Sequence, residues 1–143
     1  MVNHLEHGDS LLSVLSNRLD RHIYFVKGEV DVQERQKIID MMEKNDNIIC
    51  IAMSSIFSTG INIKNLHNVI FASPSKSRIR NLQSIGRVLR KGKDKVKAVL
   101  YDIADDCTNK SKRNYTLNHF IERIKIYNEE KFNYEIITIQ LKV

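Results

Sequence analysis

Gln83-Ser84-Ile85-Gly86-Arg87-Val88-Leu89-Arg90 is the stretch on which the reading of this 143-residue sequence turns. Apolar Leu82, Ile85, Val88 and Leu89 recur at helical spacing, Ser75 and Ser77 stand upstream as caps, and Lys91-Gly92 supplies an exit. At roughly 100° per residue, Gln83, Arg87 and Arg90 share one face of such a helix, with Gly86 at its edge. A mid-helix glycine costs about 1 kcal/mol relative to alanine, so its presence asks for close backbone approach. Two arginines one turn apart repel unless an anion lies between them, and a polyphosphate suits their forked donors better than a single carboxylate does. A solvated basic face is the ordinary explanation of an Arg-x-x-Arg pair. The rest of the chain weighs against it.

Composition narrows the class. With 42% hydrophobic and 28% charged residues, the sequence predicts one globular domain able to bury a core. No apolar run approaches the roughly 18 residues of a membrane span, and no signal-peptide pattern opens the chain, so a cytoplasmic protein is the expectation. Cys50 and Cys107 lie far apart without ligand spacing, and His4 and His7 have no cluster to join, so neither a disulfide nor a structural metal is expected. The net charge of +6 is unevenly spread: residues 1–72 carry 7 Lys/Arg against 9 Asp/Glu, and residues 73–143 carry 16 against 8. A basic half of this size suits a polyanionic partner such as nucleic acid or nucleotide, although solvated lysines account for part of it.

In chain order, Met1-Val2-Asn3 looks too short for a strand, as though the chain began where most α/β domains have completed their first one. Leu11, Leu12, Val14, Leu15 and Leu19 form a helical stripe after the start signals Gly8-Asp9-Ser10. Ile23 to Val26 reads as a buried strand, and Asp31 with Glu34 fits a capping box opening a helix through about Lys44. Ile48 to Met53 is the next strand, and Ser54 to Asn62 turns small and polar at its carboxyl end, where open α/β sheets bind ligands. Val69 to Ala72 and Val96 to Ile103 read as further strands, residues 117–127 as a last helix, and Tyr134 to Leu141 as a final strand. Strand, helix and strand in this rhythm imply an α/β fold with a central, mainly parallel sheet and helices on both faces.

Gln-x-x-Gly-Arg-x-x-Arg at residues 83–90 resembles motif six of superfamily two helicases. Ala52-Met53-Ser54-Ser55-Ile56-Phe57-Ser58-Thr59-Gly60-Ile61-Asn62 resembles motif five of the same superfamily, at the family's distance before motif six. The resemblance implies a RecA-like lobe in which Arg87 and Arg90 reach ATP phosphates as the catalytic arginines, and Gly60, Asn62, Gln83 and Gly86 lie beside the nucleotide. It further implies that Ser54 contacts the nucleic-acid backbone, where a small hydroxyl can donate to phosphate without bulk. Gly28 and Arg35 match a weaker segment that follows the strand of nucleic acid, and His7-Gly8 sits where motif four ends. An ordinary strand-to-helix loop would explain the Ala52–Asn62 stretch taken alone, and a glycine after a strand with an arginine in a helix is common.

A phosphate-binding Walker loop is excluded by spacing, since five residues separate Gly86 from Gly92 and Asp94 follows Lys93. Asp105-Asp106 lacks the neighbours of a magnesium-binding pair. Residues 1–143 are therefore expected to be the second RecA-like lobe of a helicase, without the lobe that carries the phosphate loop and the Mg²⁺ ligands. Phe57-Ser58-Thr59-Gly60-Ile61 and Ile85 to Lys91 look most like the UvsW-type branched-DNA helicases of tailed phages, an impression that Glu130-Lys131-Phe132-Asn133-Tyr134 strengthens. This implies an ATP-dependent DNA motor of recombination or repair in the host cytoplasm, using ATP and Mg²⁺. Its expected partners are DNA and the N-terminal lobe of the same polypeptide. A nonenzymatic nucleic-acid or protein adaptor on the same fold is the alternative, and the complete Gln83, Gly86, Arg87 and Arg90 face favours the motor.

Overall fold

Alternating strand residues divide the first half of the chain into two packing layers. The computed structural model describes residues 1–28, 31–57, 63, 65–73, 98–108 and 114–141, and the chain separates into two compact units, Met1–Ala104 and Asp105–Val143. In the first unit, α1 (Leu5–Ser16) is followed by β1 (His22–Val26), α2 (Val32–Lys44), β2 (Ile48–Ala52), the single turn α3 (Ser54–Phe57), β3 (Asn68–Phe71) and β4 (Val99–Asp102). Strands β1 and β2 pair in parallel with Val26 opposite Ala52, and β3 and β4 pair in parallel with Phe71 opposite Asp102.

The N-terminal segment joins the two pairs. Val2 N donates to Ala52 O at 3.0 Å and Val2 O accepts from Ser54 N at 2.9 Å, which is the parallel pattern about Met53. On its other side Met1 N donates to Ile70 O at 2.6 Å and Met1 O accepts from Ala72 N at 3.1 Å. The spatial order is thus β1, β2, residues 1–3, β3, β4, with every pairing parallel. Three residues too short to be named a strand hold the central place of the sheet, and Val2 is fully buried there.

Side-chain period two sends Tyr24 and Val26 to one face of β1 and Phe25 to the other. On the first face, Val26, Ala52 and Ile56 form a core with Ile38 of α2, joined by Tyr24, Met41, Met42, Cys50 and Met53. The Tyr24 hydroxyl donates to Met41 Sδ at 3.7 Å. On the second face the ring of Phe25 lies directly under Gly8 of α1, and a Cβ at position 8 would overlap that ring. The helices therefore cover both faces of this strand pair, as the sequence predicts. Helix α1 begins at Leu5 and not at Asp9 or Ser10. Gly8 is an interior notch that admits Phe25, and it only resembles a start signal.

Asp31 caps α2, its carboxylate accepting from Val32 N at 2.8 Å. In the second unit, α4 (Tyr115–Glu129) buries Arg123, Ile126 and Tyr127. It closes in a Schellman motif: Phe132 N donates to Tyr127 O at 2.9 Å, Lys131 N donates to Asn128 O at 3.1 Å, and Lys131 takes a left-handed φ of 56°. Tyr127 packs on Phe132 and Tyr134 at ring separations of 6.2 and 6.0 Å. The predicted final strand is not formed. Tyr134 to Leu141 lie outside any strand or helix, with Ile136, Ile137, Ile139 and Leu141 exposed, because β propensity without a neighbouring ladder fixes no pairing.

Candidate nucleic-acid interface

The carboxyl ends of β1, β2, residues 1–3 and β3 all meet one edge of the sheet, at the point where successive connections leave in opposite directions. In open α/β sheets this is where ligands bind. Polar side chains gather there. Ser54 Oγ lies 3.0 Å from Val2 O and 2.7 Å from Asn3 Oδ1, so its single proton is held toward residues 1–3. Asn3 N donates to Ser73 Oγ at 3.4 Å, and Ser73 Oγ is 2.9 Å from His7 Nδ1. The Ser73 hydroxyl thus links the backbone of Asn3 to the His7 ring, and which of the two gives the proton depends on the imidazole tautomer.

Ser54 stands at the edge expected of a backbone contact, but here its one proton is given to residues 1–3 and not left for a phosphate. Gly28 follows the neighbouring strand β1, two residues beyond Val26. A Cβ at Gly28 would meet nothing within 4 Å, so packing does not require glycine there and the space over the end of β1 is open. Arg35, in the first turn of α2, lines a small apolar cleft with Val26, Ile38, Met42, Ala52 and Ile63. The structure thus sets Ser54 and Gly28 after adjacent strands and puts the Arg35 stem against the core. Gly60, Asn62, Gln83, Gly86, Arg87 and Arg90 lie outside the described residues.

Asn3 and Ser73 are the members of this cluster that sequence reasoning did not single out. A signal existed for Ser73, because a small hydroxyl directly after a buried strand repeats the situation of Ser54. Asn3 gave none, since nothing local shows that residues 1–3 lie between β2 and β3. Away from this edge, burial pushes the Cys50 thiol up from 9.0 to about 11, which marks it as an inert core group. Among the described residues, no group of three or more His, Cys, Asp or Glu is placed to hold a metal ion, and no helix is long and apolar enough to cross a membrane.

Comparison with known proteins places this edge in a wider setting. The ATP-dependent DNA helicase uvsW of Enterobacteria phage T4 is 40% identical over 99% of this chain and 30% of its own length. A putative helicase of a Sulfolobus islandicus filamentous virus is 32% identical over 55% of the chain and 14% of its own length. The crystal structure of T4 UvsW superposes with a TM-score of 0.78 at 41% identity, covering 97% of this chain and 30% of that one. The C-terminal part of the Fun30 ATPase domain gives a TM-score of 0.60 at 25% identity, over 88% of this chain and 46% of that one. The chain spans less than a third of the length of the curated relatives it matches. Its fold is the RecA-like α/β fold of a helicase C-terminal lobe. Residues 1–92, from the central segment of the sheet through the Gln83–Arg90 stretch, match the family described as "Helicase conserved C-terminal domain", and the chain belongs to that family.

Proposed function

We propose that residues 1–143 form the second motor lobe of an ATP-dependent DNA helicase or translocase that acts on branched DNA in recombination or repair. The observation that carries this reading is the family match over residues 1–92, which includes both motif-bearing stretches and ends just past Arg90. In the two-lobed parent, hydrolysis of bound ATP, with Mg²⁺ held by the first lobe, supplies the driving free energy. Arg87 and Arg90 take the charge that grows on the terminal phosphate oxygens, which is where paired guanidinium forks are worth most. Gly60, Asn62, Gln83 and Gly86 line the nucleotide side. Ser54 and Gly28 meet the DNA backbone at the open sheet edge, with Arg35 behind them in α2. Asn3, Ser73 and His7 hold the Ser54 side of that edge in one hydrogen-bonded arrangement. The N-terminal lobe of the same polypeptide is the partner across the nucleotide, and the host cytoplasm is the working compartment.

The test uses the two-lobed parent. Arg90→Ala should lower DNA-stimulated ATP hydrolysis by roughly 10³-fold or more while ATP binding is retained. Arg90→Lys should rescue poorly, because an ammonium cannot span two oxygens as a planar fork does. Near-normal turnover in the Arg87→Ala/Arg90→Ala double variant would refute the motor role and leave the nonenzymatic adaptor. The isolated chain, which has no phosphate loop in its sequence, should hydrolyse no ATP.

A further inference from the structure

From Phe132 to Leu141 the chain makes no turn or bend, and every residue from Asn133 onward is exposed. Side-chain period two puts Ile137, Ile139 and Leu141 on one side of this run, 71%, 76% and 82% exposed, and Ile136, Thr138 and Gln140 on the other. Among the described residues, the backbone groups of residues 135–141 make no hydrogen bond. The corner from which the run departs is fixed. Tyr134 packs on Tyr127 of α4, and its hydroxyl donates to Asn128 Oδ1 at 3.1 Å, just past the Schellman motif that ends the helix. An extended segment held at one end, with a row of aliphatic side chains and open N–H and C=O groups, is prepared to join the edge of a sheet.

The size of the apolar side decides between partners. Three aliphatic side chains bury roughly 300 Å². A standard stable interface between separate molecules takes about 800 Å² from each partner. A second copy of the chain, or an unrelated protein, would be held too weakly through this run alone. A sheet on the same polypeptide needs less area, because the covalent tether holds it at an effective concentration on the order of millimolar. The relatives have room for one. This chain spans less than a third of their length, and the uvsW match reaches 99% of the chain, so the run has a counterpart inside a far longer polypeptide.

We propose that residues 136–141 add a strand to a sheet edge of the first RecA-like lobe and so strap the two lobes of the parent together. The strap rests on the reading of this chain as the second lobe of a two-lobed polypeptide, and it is separate from the phosphate chemistry of Arg87 and Arg90. It lies beyond residue 92, where the family match ends, so the helicase motifs do not supply it.

The experiment follows amide hydrogen exchange in peptides covering residues 134–141, in the two-lobed parent and in the 143-residue chain, each at two concentrations tenfold apart. The run should exchange about a hundredfold more slowly in the parent than in the chain alone, at both concentrations. In the parent, the Ile137→Asp/Ile139→Asp double variant should return exchange to the rate of the chain alone, and Ile139→Val should keep the protection. Thr138→Pro and Ile139→Pro remove N–H groups that point to opposite edges of the strand, so one should abolish the protection and the other spare most of it. Because these side chains are exposed in the chain, unchanged thermal unfolding of the variant chains separates a lost strap from a lost fold. Equal exchange in parent and chain would overturn the proposal, as would protection in the parent that survives the double variant or both prolines. Protection in the chain alone would also overturn it: a rise with concentration would assign the run to a second copy, and no rise would assign it to this chain. None of these results bears on ATP hydrolysis by the Arg90 variants, so failure of the strap and failure of the motor reading are told apart.

Discussion

The two faces of the β1–β2 pair are packed by opposite means. Under α1, an aromatic ring occupies a notch that exists because residue 8 has no side chain. Under α2, the contacts come from Ile38, three methionines and a thiol around a small cleft, a surface made of flexible pieces. One face is a fixed fit and the other is adjustable. Similar helix-on-sheet layers thus tolerate change very differently, and position 8, which resembles a helix start signal in the sequence, is the more demanding site.

Adding one carbon on the α1 side should cost the most. Gly8→Ala is expected to destabilise by about 3 kcal/mol, the upper end of the overpacking range, as read by denaturant unfolding. Shrinking the ring in a Gly8→Ala/Phe25→Leu double variant should recover part of this, and strict additivity would break the notch explanation. On the α2 side, Ile38→Val should cost only about 1 kcal/mol, because methionines move into the space. A loss as large as that of Gly8→Ala would erase the contrast between the faces.

The same face carries a pH signature. The Cys50 thiol titrates near 11 when folded, against 9.0 ordinarily, so between these values the unfolded chain loses its proton first. Its contribution to stability is complete below pH 9 and falls as pH rises toward 11. Cys50→Ala should flatten that fall. Alkylation below pH 9 should mark exposed Cys107 and spare Cys50 in the folded chain. Smallest of all should be Gly28→Ala, within about 0.5 kcal/mol of wild type in stability, since its Cβ would enter open space. A large loss of stability there would show that the glycine serves the fold and not the edge beside Ser54.

What the sequence reveals follows the range of the forces involved. Local rules suffice for α2, whose cap Asp31 and inner residues Ile38 and Met42 are read correctly, and for the apolar runs of β1 and β2. The position of Ser54 is equally legible, because a small hydroxyl just past a buried strand is a local pattern. Long-range facts are not. Gly8 needs Phe25 to explain it, and residues 1–3 need Met53 and Phe71. Tyr134 to Leu141 fail in the other direction: their β-branched composition satisfies the local rule, yet no ladder forms on them among the described residues.

The central place of residues 1–3 reverses the order of making and the order of pairing. Met1 and Val2 leave the ribosome before the partners they hydrogen-bond to, at Ala52, Ser54, Ile70 and Ala72, have been synthesised. At roughly 5–20 residues per second, this segment waits several seconds. In the interval, β1, α2 and β2 can assemble from neighbours alone, whereas joining β3 to them requires closing a loop of some fifty residues or more. Residues 1–3, made before every strand they join, are in this sense the last stitch of the sheet.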